Sequence, residues 1–164
     1  MDTLMQRPLG LCSTKAGLAV GTTTTLTTAN TQLYSLKGKA YTAAAAANEA
    51  TPTLDSNTGV AFVPVPVSKG CVFVICRDAA AALKAVQGSI VDLDGIAGSN
   101  LFMQSLPQFP PIPDTLCPIG YVVVKVGTTG AAWTFGASNF AGPPTGVVFA
   151  FQDCFTLPDR PQAA

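Results

Sequence analysis

The 164-residue chain contains no histidine, and only 18 of its residues are charged, 9 basic and 9 acidic. The missing imidazole removes the commonest general base, the commonest metal ligand and every Ser-His or Cys-His nucleophile pair. Catalysis would have to rest on Lys, Tyr or carboxylates alone, so the composition points to a non-enzymatic protein with no cofactor and no metal. A net charge of zero also lacks the clustered Lys and Arg that neutralise phosphates, which argues against a nucleic-acid partner. The charge deficit bears on the surface as well. Charged residues make up 11% of the chain, against about 25% in an ordinary soluble domain. Area scaling gives a folded surface of roughly 7,600 Å², or about one charge per 420 Å². So thin a coat of charge implies that part of the surface is covered by a partner.

Long apolar runs are missing too. The chain is 48% apolar, yet no stretch approaches the roughly 18–20 residues that span a bilayer, so no membrane partner is expected. Residues 1–20 are interrupted by Asp2, Arg7, Pro8 and Lys15 and lack the apolar centre of a secretory signal, which makes cytoplasmic synthesis the expectation. The five cysteines, Cys12, Cys71, Cys76, Cys117 and Cys154, form no CxxC pair. Cys71 and Cys76 are five positions apart and face opposite ways on a strand, so they cannot share a metal. They read as small buried hydrophobes, with a disulfide left open.

What is present is the signature of short strands and tight turns. Residues 1–30 combine a turn-punctuated start with a Thr-rich tract and read as an extended N-terminal arm, separate from a domain over 31–164. The alternation of Gln32, Tyr34 and Leu36 against Leu33, Ser35 and Lys37 breaks at Gly38 as a hairpin does. The Ala run at 43–47 supports a short helix or an ordered loop, stopped before Pro52. Asp55 to Gly59 make a turn, and Val and Pro alternate over 63–67 as at a sheet edge. Residues 70–76 form an apolar run of central-strand type, and residues 83–87 suit the return arm of a hairpin despite their helix propensity. Four prolines at 107, 110, 111 and 113 forbid both helix and ladder, leaving a rigid surface connection with an extended tail over 157–164 to match. Residues 119–126 are the second strong strand, with Trp133, Thr134 and Phe135 as its expected partner and 147–151 as the last strand. About seven or eight short antiparallel strands predict an all-β fold, a single β-sandwich or barrel-like domain.

Asp92-x-Asp94-Gly95 opens like a calcium loop, but the later ligands are absent and a polar turn suffices. Phe73, Phe135 and Phe149 fit a core. Phe102 and Phe109 lie in or beside the proline-rich connection, where an aromatic can anchor a subunit contact.

Five stretches carry a likeness to a known group. They are GKAYT at 38–42, PQFPPIPD at 107–114 with CPIGY at 117–121, WTFGASN at 133–139, and LPDRP at 157–161. Together, over roughly residues 33–161, they resemble virion structural proteins of tailed bacteriophages, whose small members are similar to capsid decoration, or cement, proteins. The resemblance implies a homo-oligomer, favouring a trimer, seated on the major capsid protein at the outer head surface of a virion made in the host bacterial cytoplasm. It brings no catalytic residues. The expected interface combines Leu4, Leu9 and Leu11 of the arm with Phe102 and Phe109. An alternative is a head-fibre or tail-fibre module that binds host-surface glycan through exposed aromatics such as Trp133. A carboxylate hydrolase would need two acidic side chains about 5–10 Å apart in one cleft.

Overall fold

The computed structural model describes residues 10–93 and 107–161. Among them no helix forms, and eleven strands pair antiparallel in three sheets, so the fold is all-β. The five-stranded sheet contains β7 (Lys69–Arg77), β8 (Leu83–Gln87), β9 (Val91–Asp92), β10 (Cys117–Val126) and β11 (Val147–Asp153), in the order β11-β10-β7-β8 with β9 also on β7. A three-stranded sheet orders β1 (Gly10–Cys12), β4 (Gln32–Leu36) and β5 (Lys39–Ala43). The other orders β2 (Leu18–Val20), β3 (Leu26–Thr28) and β6 (Ala46–Glu49).

The continuous apolar runs of β7 and β10 are buried on both faces, as central strands should be. Cys71, Phe73 and Ile75 join the main core, which draws residues from all three sheets and contains Trp133, Phe135 and Phe140. Val72, Val74 and Cys76 face the opposite way, where Phe109, Ile112 and Leu157 cover them. On β10 the register shifts between Pro118 and Gly120, leaving Ile119 as the extra residue of a bulge. This changes the phase of the strand, so that Cys117 and Ile119 before it and Val122, Val124 and Val126 after it all face the main core.

The predicted hairpins at Gly38 and between β7 and β8 are present. Lys37 (φ 49°) and Gly38 (φ 80°) form a two-residue turn of the primed type, whose left-handed residues match the twist of paired strands.

Several expectations differ from the fold. Residues 10–30 are no detached arm: they supply β1, β2 and β3 and bury Cys12, Ala16, Leu18 and Leu26 in the main core. Threonine hydroxyls bind backbone within this tract and across to the β6 region: Thr25 Oγ1 donates to Thr22 O, Thr27 Oγ1 to Ala47 O, and Thr51 Oγ1 to Thr24 O at 2.7 Å. That stitching turns a Thr-rich tract into a small sheet. The Ala run ends in β6 rather than a helical turn, because pairing with β3 outweighs a helix propensity of a few tenths of a kcal/mol per residue. Trp133 is not a strand partner of β10; it makes one isolated bridge to Val65, and β10 lies between β7 and β11. The strand count exceeds seven or eight because several strands are only two to four residues long.

Candidate functional site

Among the described residues three charged side chains are buried, Asp55, Arg77 and Lys125, and Arg77 lies deepest. Arg77 is 1% exposed at the end of β7. Its Nε donates to Gln32 Oε1 (2.8 Å), its Nη1 to Glu49 Oε1 and Ala81 O (2.9 Å), and its Nη2 to Glu49 Oε2 (2.7 Å) and Thr28 Oγ1 (3.3 Å). All five donors of the guanidinium are used. The acceptors come from β3, β4, β6 and the turn after β7, so the residue pins the three sheets together and has no donor left for a ligand.

A cleft of about 700 Å³ opens between residues 52–59 and 78–84, with Asp55, Asp78 and Lys84 in its lining. Asp55 Oδ1 accepts from Asn57 N (2.8 Å), and Asp78 Oδ1 accepts from Ala80 N and Ala82 N (both 2.9 Å). Lys84 Nζ sits 3.6 Å from Asp78 Oδ2. Both acidic side chains thus shape turns, the local role Asp takes most readily.

All five cysteines are free and buried. As the spacing predicted, Cys71 and Cys76 lie in different apolar clusters on opposite faces of β7. Burial pushes the Cys71, Cys117 and Cys154 thiols up to about 12 and raises Cys12 and Cys76 as well. Thiols held neutral in this way are poor nucleophiles. Among the described residues no group of three His, Cys, Asp or Glu side chains is placed to hold a metal. Asp94 of the calcium-like sequence lies outside the described residues, and Asp92 pairs with Lys69.

Leu4, Leu9 and Phe102 also lie outside the described residues. The structure treats Leu11 and Phe109 differently. Phe109 is half-buried, its ring edge-on to Tyr121 with centroids 5.0 Å apart, and it clamps the proline-rich connection onto the five-stranded sheet. Next to it a groove of about 580 Å³ runs between 107–109 and 157–160, bringing together two of the stretches on which the family likeness rests. Leu11, by contrast, is 46% exposed. It pairs with Ser35 across β1 and β4, which puts Leu33, also 46% exposed, on the same outward face. Phe155, at 47%, lies on the adjoining segment, its carbonyl accepting from Cys12 N at 3.0 Å.

Leu54, Val60, Val63 and Val67 are exposed apolar side chains as well. None of these residues, nor Leu33 or Phe155, is among the interface residues expected from the sequence. The signal for Leu33 was its alternation with Ser35 and Lys37 against the buried Gln32, Tyr34 and Leu36. Trp133 corrects the glycan reading: it is fully buried, ringed by Phe73, Phe135, Phe140 and Phe149, with Nε1 donating to Asn139 O at 3.2 Å. It is therefore no part of an exposed platform.

Comparison of the chain with protein-family models, with curated proteins and with solved structures finds no match.

Proposed function

We propose that this protein is a structural component of a bacteriophage particle, a decoration protein that binds the outer surface of the major capsid protein as a homo-oligomer and stabilises the head. The observation that carries the reading is the exposed apolar face of Leu11 and Leu33, with Phe155 on the segment hydrogen-bonded to β1. Such a face gains free energy when covered, at roughly 25 cal/mol per Å² of apolar area removed from water. Many modest contacts of this kind on one lattice add through multivalency. The five sequence stretches that resemble virion proteins support the same reading, as does the low density of charge. Burial of Trp133 takes away the aromatic on which the glycan-binding alternative depended.

Heads purified without the protein provide the test. Added back, the wild-type chain should co-sediment with heads to a saturating copy number and raise the temperature at which they release DNA. The paired substitution Leu11→Ser and Leu33→Ser should weaken that binding at least tenfold while leaving the fold intact. Removal of residues 2–9 probes Leu4 and Leu9 in the same assay. Failure of the wild-type chain to bind heads overturns the proposal.

A further inference from the structure

The five-stranded sheet ends at β11, and the backbone of that strand is only half used. Cys154 N donates to Ile119 O at 3.1 Å, which fixes the phase of the ladder: Val148, Ala150 and Gln152 exchange hydrogen bonds with β10. The N–H and C=O groups of Phe149 and Phe151 therefore point away from the sheet, and no described residue bonds to them. At the ends of the strand Val147 N is taken by Pro144 O (3.1 Å) and Asp153 O receives Gln152 Nε2 (3.4 Å). The outward set that the described residues leave free is thus Val147 C=O, both groups of Phe149, both groups of Phe151, and Asp153 N–H.

The edges at β8, β1 and β5 are guarded. Outside β8, Ser56 N donates to Ala85 O (2.9 Å), and the Gln87 amide bonds both Val63 N and Val63 O (2.8 Å each). On β1, Phe155 O accepts from Cys12 N. The edge of β5 carries Lys39. Strand β11, VVFAFQD, has seven residues, no lysine, arginine or proline, and an apolar start, features that leave an edge open to pairing.

We propose that β11 pairs antiparallel with β11 of a second copy of this chain, about a two-fold axis at Ala150. The free groups are self-complementary in that register. Phe149 lies opposite Phe151 of the second copy and exchanges two hydrogen bonds with it, and the symmetric pair adds two more. Asp153 N–H meets Val147 C=O at each end, so six hydrogen bonds use every free group of both strands. Moving the axis to Phe149 would pair Val147 N, already bound to Pro144, and leave Asp153 N–H without a partner. Ala150 falls opposite itself at a non-hydrogen-bonded position, where side chains approach most closely and a small residue fits. No like charges meet across the axis. The only charge on the strand, the Asp153 carboxylate, is turned to Gly17 N (3.1 Å) and Leu18 N (2.9 Å).

The pairing does not depend on the decoration reading, and a two-fold through this edge is distinct from a closed trimer. Light scattering on the wild-type chain should give the mass of two copies. Amide exchange should show Phe149 and Phe151 protected to the same degree as Ala150, with protection lost on dilution. The Ala150→Cys variant should form an interchain disulfide under mild oxidation where the wild type does not, because its own five cysteines are buried. Ala150→Lys, placing like charges in contact, should raise the dissociation constant at least tenfold while Trp133 emission stays native. A monomer or trimer mass with the Phe149 and Phe151 amides exchanging freely overturns the pairing and leaves head binding to be judged separately. Loss of head binding with the dimer intact overturns the decoration reading alone.

Discussion

The carboxylate of Glu49, at the end of β6, receives both terminal nitrogens of the Arg77 guanidinium, side by side, with Nη2 to Oε2 at 2.7 Å. This fork joins the five-stranded sheet to the sheet of β2, β3 and β6. The remaining donors tie in Gln32 and Thr28. Removing one partner of a buried pair strands the other, which costs about 3–5 kcal/mol. Arg77→Met should therefore lower the urea unfolding free energy by about that amount. Glu49→Gln keeps an acceptor and should cost less. Equal losses for the two variants would mean that the charge, not the five-donor geometry, is what holds the sheets.

Gly120 sits at the β10 bulge against β11 and β2. A Cβ there would lie 2.4 Å from Leu18 Cδ1 and 2.5 Å from Gln152 O, and the second atom is ladder backbone that cannot move aside. Gly120→Ala should cost at least the 1–3 kcal/mol or so typical of overpacking, read from chemical unfolding. Gly38→Ala is the comparison: nothing lies near its Cβ, and only the left-handed φ of 80° is penalised, by about 1–2 kcal/mol.

The buried thiols make stability depend on alkaline pH. Cys71, Cys117 and Cys154 move from the ordinary 9.0 to about 12, so the folded state holds these protons more tightly than the unfolded chain. Their contribution is complete below about pH 9 and is lost as pH rises from there towards about 12. Unfolding free energy should fall across that window, and Cys71→Ser should flatten the slope. Native protein should leave all five thiols unreacted with a disulfide reagent at neutral pH, and unfolding should release five equivalents.

Trp133 reports on the main core. Its emission should be blue-shifted, resistant to iodide quenching and indifferent to saccharides, because the indole has no exposed surface. Trp133→Ala should destabilise by about 3–5 kcal/mol. A red-shifted, readily quenched emission would contradict the packing and revive an exposed aromatic site.

Leu11 and Leu33 should behave in the opposite way. Their substitution by Ser removes little buried area, so stability should change by less than about 0.5 kcal/mol each while head binding drops. Unfolding curves and co-sedimentation on the same variants separate the two effects.

Where periodicity and turn chemistry act over a few residues, the amino-acid sequence determined the outcome: the all-β class, the apolar strands β7 and β10, the turn at Gly38, and the opposite facing of Cys71 and Cys76. Each is a local consequence of a two-residue period or of a residue that tolerates a left-handed φ. Tertiary structure decided what needs distant partners. Residues 10–30 looked like an arm because no short window shows that Leu18 and Leu26 meet Ile119 and Phe140 in one core. Nothing in the residues around Arg77 marks it as buried, because its acceptors Thr28, Gln32 and Glu49 lie 28 to 49 residues away along the chain. The charge deficit follows the same division. Composition fixed that the surface would be sparsely charged, while the pairing of β1 with β4 and the phase of β11 decided which apolar side chains and which backbone groups were left facing outward, since both depend on register rather than on residue type.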